Sequence, residues 1–206
     1  MEIFITNIMN QFGYFGMFFL ILIENIFPPI PSEIILPFGG FAATLESSHL
    51  TILGLIISAT IGSVLGALIL YYIGVLLNVE KLNIWLEKKY VKRLGFKKSE
   101  VDKTVKFFEK WESFAVFFGR CVPIVRSLIS IPAGMVKMNL FKFTIYTTLG
   151  SLVWNTLLIY AGSVLGENWE NVVKIVDEYK NIVLIILSVV VIFLMAKYLK
   201  KKNRNK

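Results

Sequence analysis

Long stretches without a charged residue constrain this chain more than any other feature of its 206 residues. Three such stretches cover residues 50–79, 145–166 and 182–196. A helix needs about 20 apolar residues to cross about 30 Å of hydrocarbon, and the first two stretches reach that length. The third is shorter, but Lys197 and Lys200 can extend to the interface. The pattern predicts an all-α integral membrane protein with transmembrane helices at 50–78, 142–165 and 181–199.

Basic residues lie beside these stretches and indicate how the chain is oriented. Residues 80–110 hold ten Lys/Arg against five acids, and residues 197–206 hold six Lys/Arg and no acid. Such clusters mark the cytoplasmic side and attract anionic lipid, so the net charge of +8 needs no nucleic acid as a partner. We expect a cytoplasmic basic tail at 200–206. The region 79–110 is predicted to be amphipathic, either in the membrane interface or as a cytoplasmic helical pair.

This orientation predicts a re-entrant hairpin at 111–137. The acidic link at 167–180 is then external, so the span at 142–165 runs outward and residues 111–137 must start and end in the cytoplasm. Their apolar run is too long for a surface loop. Pro123 and Pro132 are expected to break any helix there, and Gly119 and Gly134 to relax the backbone.

A similar broken segment at 12–43 predicts a first re-entrant hairpin, although a single full crossing by residues 8–27 stays open. Its apolar run is interrupted by four prolines: Pro28, Pro29, Pro31 and Pro37. As a hairpin it would enter from outside and leave the N-terminus external.

The two halves of the chain also resemble each other. A shift of 95 pairs Pro28 with Pro123, Pro37 with Pro132 and Gly39 with Gly134, whereas a shift of 88 pairs the two following spans. Each half is then a hairpin followed by a span. This order predicts an inverted repeat, the plan of many secondary transporters, in which paired broken segments mark the binding site.

Four charged residues lie within the two broken segments. Glu24 and Glu33 are on the first, whereas Arg120 and Arg126 are on the second. Charge inside the membrane is costly and is therefore a functional hypothesis by default. Arginine offers a forked donor for phosphate, and a carboxylate in a low dielectric binds a proton more readily. Fixed ion pairs that staple the hairpins together are the structural alternative.

Other residues predict little chemistry. No catalytic motif, metal-ligand cluster or cofactor-binding pattern is present, and the single histidine, His49, is expected in a solvated link. The single Cys121 excludes an internal disulfide. Further polar residues of the spans are expected to be helix-packing contacts. They are Ser58, Thr60, Ser63, Asn155 and Thr156.

Two motifs resemble the DedA family, also known as the SNARE-associated or VTT domain. The first runs from Glu24 through Pro-Pro-Ile-Pro-Ser to Glu33, and the second runs from Phe118-Gly-Arg through Pro123 to Arg126. The resemblance covers about residues 12–166. It implies a multi-pass lipid transporter of the bacterial inner membrane, with essential acids at Glu24 and Glu33 and essential arginines at Arg120 and Arg126.

Four positions depart from the family's usual pattern: Val75, Asn78, Glu112 and Cys121. They leave the four charges intact but leave the headgroup preference open.

The resemblance therefore implies translocation of undecaprenyl phosphate, or a related lipid phosphate, to recycle the carrier lipid of the cell envelope. The acids Glu24 and Glu33 add the hypothesis that this translocation is coupled to protons. The expected partners are a membrane lipid and protons, with a homodimer left open. Alternatives are a phosphatidylethanolamine translocase, a proton-coupled cation or drug antiporter, and a membrane scaffold built on residues 80–110.

Overall fold

The computed structural model describes residues 2–27, 32–46, 48–77, 111–123 and 125–204, with the backbone alone at 2–10, 187 and 190–204. The predicted amphipathic region at 79–110 lies outside the described residues, and so do Pro28 and Pro31 of the first broken segment. Every regular element within the described ranges is helical. This agrees with the predicted all-α class.

Three helices separated by breaks make up the first half. Helix α1 spans Glu2–Ile26 and is kinked at Gly13, where a φ of 52° is a left-handed value that favours glycine. Helix α2 spans Ser32–Ala42, and helix α3 spans Ile52–Leu77. The described parts of the first broken segment thus belong to α1, which ends at Ile26, and to α2, which begins at Ser32.

The second half begins with three shorter helical pieces: α4 at residues 111–120, α5 at Val125–Leu128 and α6 at Ser130–Met135. The long helix α7 spans Leu140–Leu165. The side chain of its N-cap, Asn139, accepts hydrogen bonds from the backbone N–H groups of the second and third helical residues at 3.0 and 3.1 Å. Helix α8 follows a 3₁₀ turn at Gly166–Asn168 and spans Glu170–Arg204.

Helices α3 and α7 are long and apolar enough to cross a bilayer. Their outer faces carry large apolar residues, whereas their buried faces combine small and polar residues with large apolar ones such as Leu55 and Leu158. On α3 the buried face includes Gly62, Ser63, Gly66, Ala67 and Gly74. Its outer face includes Leu53, Ile57, Ile61, Leu65 and Ile69, which are 41–67% exposed. Exposed apolar stripes and close approach through small residues are typical of helices that contact lipid.

Two crossed contacts join the halves, because α2 packs on α7 and α6 packs on α3. A Cβ on Gly40 would meet the carbonyl oxygen of Ile159, and a Cβ on Gly134 would meet that of Tyr71. Tyr71 and Ile159 are 88 positions apart, which is the predicted shift for the spans. Gly134 is equivalent by contact to Gly40, one position after the Gly39 that the sequence pairs with it.

One of the predicted helix breaks is wrong, because Pro37 lies inside α2. Pro132 is the third residue of α6, and a turn at Ile129 separates this helix from α5, where the missing N–H of Pro132 cannot bond the carbonyl of Leu128. The backbone of Pro37 is accommodated by α7, since a Cβ on Gly162 would lie 2.6 Å from its Cα. Pro123, in contrast, lies in the turn after α4.

The acidic segment at 167–180 packs on the core as part of a helix and its preceding turn. Trp169, Val172 and Val176 are buried, and the Trp169 ring lies edge-on to Phe38 of α2 with the ring centroids 5.4 Å apart. This segment therefore covers α2. The predicted span at 181–199 lies within α8, and its crossing of the membrane stays a prediction.

Replacing Gly74 by alanine tests the contact between α3 and α6. An added Cβ would meet the carbonyl oxygen of Ile131 and lie 3.1 Å from the Cα of Gly134, so backbone would have to move. Overpacking of this kind costs about 1–3 kcal/mol, and we expect a lower unfolding midpoint in detergent. Ile69→Ala, on the exposed face, is the control and should change the midpoint little. An unchanged midpoint for Gly74→Ala would contradict the close approach.

Candidate functional site

Four charged side chains from the broken segments are almost completely buried. The exposed fractions are 5% for Glu24, 6% for Glu33, 1% for Arg120 and 3% for Arg126. They lie near the end of α1, at the start of α2, at the end of α4 and on α5, respectively. The structure therefore buries both predicted acids and both predicted arginines where the broken segments meet.

Arg126 connects the two halves through a forked contact. Its Nη2 donates to Oε2 of Glu24 at 3.1 Å, and its Nη1 donates to the hydroxyl of Ser32 at 2.8 Å. Glu24 is in the last turn of α1 and Ser32 is the first residue of α2, so the two partners stand on opposite sides of the break at 27–31. One guanidinium therefore holds both arms of the first broken segment.

Glu33 joins this network indirectly. Its Oε2 accepts a hydrogen bond from the Ser32 hydroxyl at 3.4 Å, and the same hydroxyl accepts from Arg126. Its position in the first turn of α2 places the carboxylate near the positive end of the helix dipole. Among the described residues Glu33 has no ion-pair partner within 4.0 Å.

Arg120 is held by neutral groups. Its Nη1 donates to Oδ1 of Asn25 at 3.1 Å, and its Nη2 donates to the hydroxyl of Ser130 at 2.6 Å. Its Nε has no hydrogen-bond partner in the described part of the chain. Gly150 on α7 makes room for this side chain, because a Cβ there would lie 2.8 Å from the Cβ of Arg120.

The charges of the site sum to zero, but their pairing is uneven. Within the described ranges the four side chains form one ion pair, between Arg126 and Glu24. Arg120 lies beyond ion-pair distance of either acid. Both arginines present N–H groups toward the first broken segment, and this is the kind of arrangement that binds an anionic headgroup.

Three neutral partners of the arginines had no predicted role: Asn25, Ser32 and Ser130. Asn25 follows Glu24 and Ser32 precedes Glu33, and this adjacency was the feature of the sequence from which their contacts with the arginines could have been predicted. Ser130 is ten residues after Arg120, and the fold-back that brings it close depends on Gly119, where a Cβ would lie 3.2 Å from Cγ1 of Ile129.

The predicted packing residues divide into two groups. The Asn155 Nδ2 on α7 donates to the hydroxyls of Thr60 at 3.3 Å and Ser63 at 3.4 Å on α3, and Ser58 donates to the backbone carbonyl of Tyr14. These contacts confirm the prediction for four of the five residues. It is wrong for Thr156, because the neighbour of Asn155 in a helix points about 100° away and is exposed here.

The remaining candidates lie apart from the charged cluster. His49 is exposed in the link between α2 and α3, as predicted. Glu112 lies 4.0 Å from Lys142 in an exposed pair, and the described residues contain no group of three side chains suited to a metal ion. No residue in this part of the chain points to a cofactor.

A double-mutant cycle on Arg126 and Glu24 tests the buried pair. Arg126→Met or Glu24→Met alone leaves an unpaired buried charge, and each should cost about 3–5 kcal/mol of unfolding free energy. The double variant should cost clearly less than the sum of the two. The same cycle on Lys142 and Glu112, which are more exposed, should show a coupling of about 0–1 kcal/mol. Additive effects at the buried pair would contradict the contact.

Comparison with known proteins identifies the family. The model of the VTT domain matches residues 30–164. A Lactococcus lactis protein called alkaline phosphatase-like protein is 51% identical over all of this chain and 97% of its own length. The undecaprenyl phosphate transporter A of Staphylococcus aureus is 38% identical, with both chains covered completely. That of Bacillus subtilis is 35% identical over 89% of this chain and 87% of its own. No solved structure matches. The chain belongs to the VTT-domain (DedA) family of bacterial membrane proteins.

Proposed function

We propose that this protein translocates undecaprenyl phosphate, or a related lipid phosphate, across the bacterial cytoplasmic membrane in a proton-coupled cycle. The cycle would return the carrier lipid of the cell envelope for reuse. The observation that carries the proposal is the buried Arg126, whose guanidinium is shared between an acid and a hydroxyl. The names of the two transporter relatives support the choice of lipid.

The uneven charge pairing supports an anionic substrate. Arg126 has a carboxylate that a phosphate oxygen could replace, and Arg120 has only neutral partners and an unpartnered Nε in the described part of the chain. A phosphate entering between them would gain charge-assisted hydrogen bonds from both. The carboxylate of Glu24, once displaced, would lie in a low dielectric and would bind a proton.

The short helices that form the second arms support two re-entrant hairpins at 12–43 and 111–137, whereas α1, with 25 residues and a kink at Gly13, is also compatible by length with the full crossing left open by the sequence. Helix α2 has 11 residues and rises about 16 Å, roughly half of the hydrocarbon thickness. Helices α5 and α6, with four and six residues, are shorter still. Segments of this length reach the charged centre but cannot cross the bilayer.

The crossed glycine contacts support an inverted repeat. Gly40 meets α7 at Ile159 as Gly134 meets α3 at Tyr71, so each hairpin packs on the span of the other half. In such folds the substrate binds where the repeats meet, and movement of one repeat against the other exposes the site to alternate faces. The lipid tail would remain along the exposed apolar faces of α3 and α7.

The basic residues beside the transmembrane spans support the proposed orientation of the chain in the membrane. The basic residues of 80–110 and of the tail put these segments and the C-terminus on the cytoplasmic side, and the N-terminus would be external. Proton uptake by Glu24 and Glu33 would then occur on the external, more acidic side.

A proton-coupled cation antiporter is the second candidate. It is favoured by Glu33, a buried acid with no ion-pair partner in the described residues, which could bind a cation or a proton. Against it, a cation would enter a cluster that already contains Arg120 and Arg126. A phosphatidylethanolamine translocase would use the same arginines. The name of the Lactococcus lactis relative raises a phosphatase as a further alternative. Such an enzyme would release inorganic phosphate from its substrate.

Replacing Arg126 tests phosphate binding. In cells depleted of their own translocases, Arg126→Ala should leave more undecaprenyl phosphate displayed on the outer surface than the parent does. Loss of charged hydrogen bonds of about 1.5–3 kcal/mol corresponds to roughly 10- to 100-fold weaker binding. Lys142→Ala removes an exposed positive charge and is the control. Equal rescue by Arg126→Ala at equal membrane abundance would show that the proposed role is wrong.

Replacing the acids tests proton coupling. Glu24→Gln keeps the shape of the side chain but cannot change its charge, so the pH dependence of translocation should flatten. Glu33→Gln should do the same if both acids carry protons. The measurement is lipid-phosphate translocation into proteoliposomes at several pH values. If both variants keep the pH dependence of the parent, proton coupling through these acids is excluded.

The same proteoliposomes separate the alternatives. Cation flux without polyprenyl phosphate or phosphatidylethanolamine would favour the antiporter. Release of inorganic phosphate from the lipid would favour a phosphatase. Translocation without either result would support the transporter.

A further inference from the structure

Buried polar atoms without partners lie along one face of α7. Thr147 Oγ1, Trp154 Nε1 and Asn155 Oδ1 have no hydrogen-bond partner among the described residues. Their side chains are buried, with exposed fractions of 0%, 7% and 0%. Residues spaced by seven and eight positions lie on the same face of a helix. These three atoms therefore lie on the buried side of α7, with Trp154 and Asn155 about 100° apart around the helix axis.

A fourth such atom belongs to a residue of α4 that contacts α7. The Nε of Arg120 has no partner, and the Cβ of Arg120 lies against Gly150, between Thr147 and Trp154 on α7. We refer to Arg120, Thr147, Trp154 and Asn155 as the polar seam. Its members on α7 span nine residues, from Thr147 to Asn155, or about 12 Å along the helix axis.

The chemistry of the four atoms selects the ligand. Arg120 Nε and Trp154 Nε1 can only donate, Asn155 Oδ1 can only accept, and the Thr147 hydroxyl can do either. A cation would suit the amide oxygen but would be repelled by Arg120. An anion would suit the two donors but would face the amide oxygen. Water both donates and accepts, and so it alone of the three matches all four atoms.

The cost of unpaired groups also favours bound water. A buried donor or acceptor without a partner costs about 1–3 kcal/mol, and groups of this kind are commonly satisfied by buried waters that make about three hydrogen bonds each. Asn155 also extends the polar surface to Thr60 and Ser63 on α3.

We propose that the polar seam holds ordered water molecules that hydrate the buried charged centre from the side of α7. The water would bridge Arg120 to the contact between α3 and α7, alongside the ion pair of Arg126. A headgroup bound at Arg120 would then keep part of its hydration. This consequence rests on the proposed transport function, whereas the hydration of the seam does not.

Hydroxyl-radical labelling of the two buried tryptophans tests the seam. A short X-ray pulse forms radicals from water where it is bound, and mass spectrometry then measures oxidation at each tryptophan of the purified full chain. Trp154 and Trp169 are equally buried, at 7% and 6% exposed, but Trp169 lines an open surface cavity that bulk water can enter, whereas Trp154 belongs to the seam. Trp169 is therefore the positive control for labelling from water, and we expect Trp154 to be oxidised at a comparable rate. Oxidation of Trp154 that is many-fold slower than that of Trp169 would overturn the proposal.

Two variants assign the labelling to the seam. Asn155→Leu removes the acceptor at similar volume, and Thr147→Val removes the hydroxyl without changing the shape, so either should slow Trp154 oxidation several-fold. Thr156→Val is the matched control, because Thr156 is exposed on the outer face of α7. If Asn155→Leu fails to fold, the rate of Trp154 oxidation in Thr147→Val tests the proposal by itself.

Unchanged oxidation of Trp154 in every folded seam variant would overturn the proposal. The assay contains no lipid phosphate, so its failure would leave the transport proposal standing. Conversely, failure of Arg126→Ala to alter translocation would leave the seam standing.

Discussion

A charged group can stay in an apolar interior only where other polar groups replace the water it has lost. In this protein Arg126 meets that requirement by binding Glu24 at the end of α1 and Ser32 at the start of α2. In a continuous helix through residues 24–32 these two partners would lie more than two turns, or about 12 Å, apart along the axis. Because they belong instead to two separate helices, one guanidinium reaches both, and the buried charge in turn holds α1 and α2 together.

The surrounding helices have to leave room for this centre without a water-driven hydrophobic effect to hold them. Their contacts instead rely on close backbone approach, with Gly40 and Gly162 between α2 and α7 and Gly74 and Gly134 between α3 and α6. Dispersion contacts accumulate when backbones come this close, which is how helices associate in lipid. At these close approaches the large apolar side chains lie on the outer face, as Ile61, Leu65 and Ile69 do on α3.

The two arginines have different environments, and this difference determines how an anion would bind at each of them. Arg126 already has a carboxylate partner, while Arg120 has amide and hydroxyl partners and an Nε without a partner in the described part of the chain. Under the proposed function, an anionic headgroup would exchange with the carboxylate at Arg126 and would add to the neutral partners at Arg120.

The sequence by itself determined the helical class, the two long spans and the four buried charges, since uncharged length and intramembrane charge are local properties that tertiary contacts do not change. Only the tertiary structure decided which atoms meet. It placed Asn25 and Ser130 on Arg120, put Pro37 and Pro132 within helices, exposed Thr156, and made Gly40 the equivalent of Gly134. These outcomes depend on helix rotation and on chain fold-back between distant segments, and a shift of one residue turns a helical side chain by about 100°.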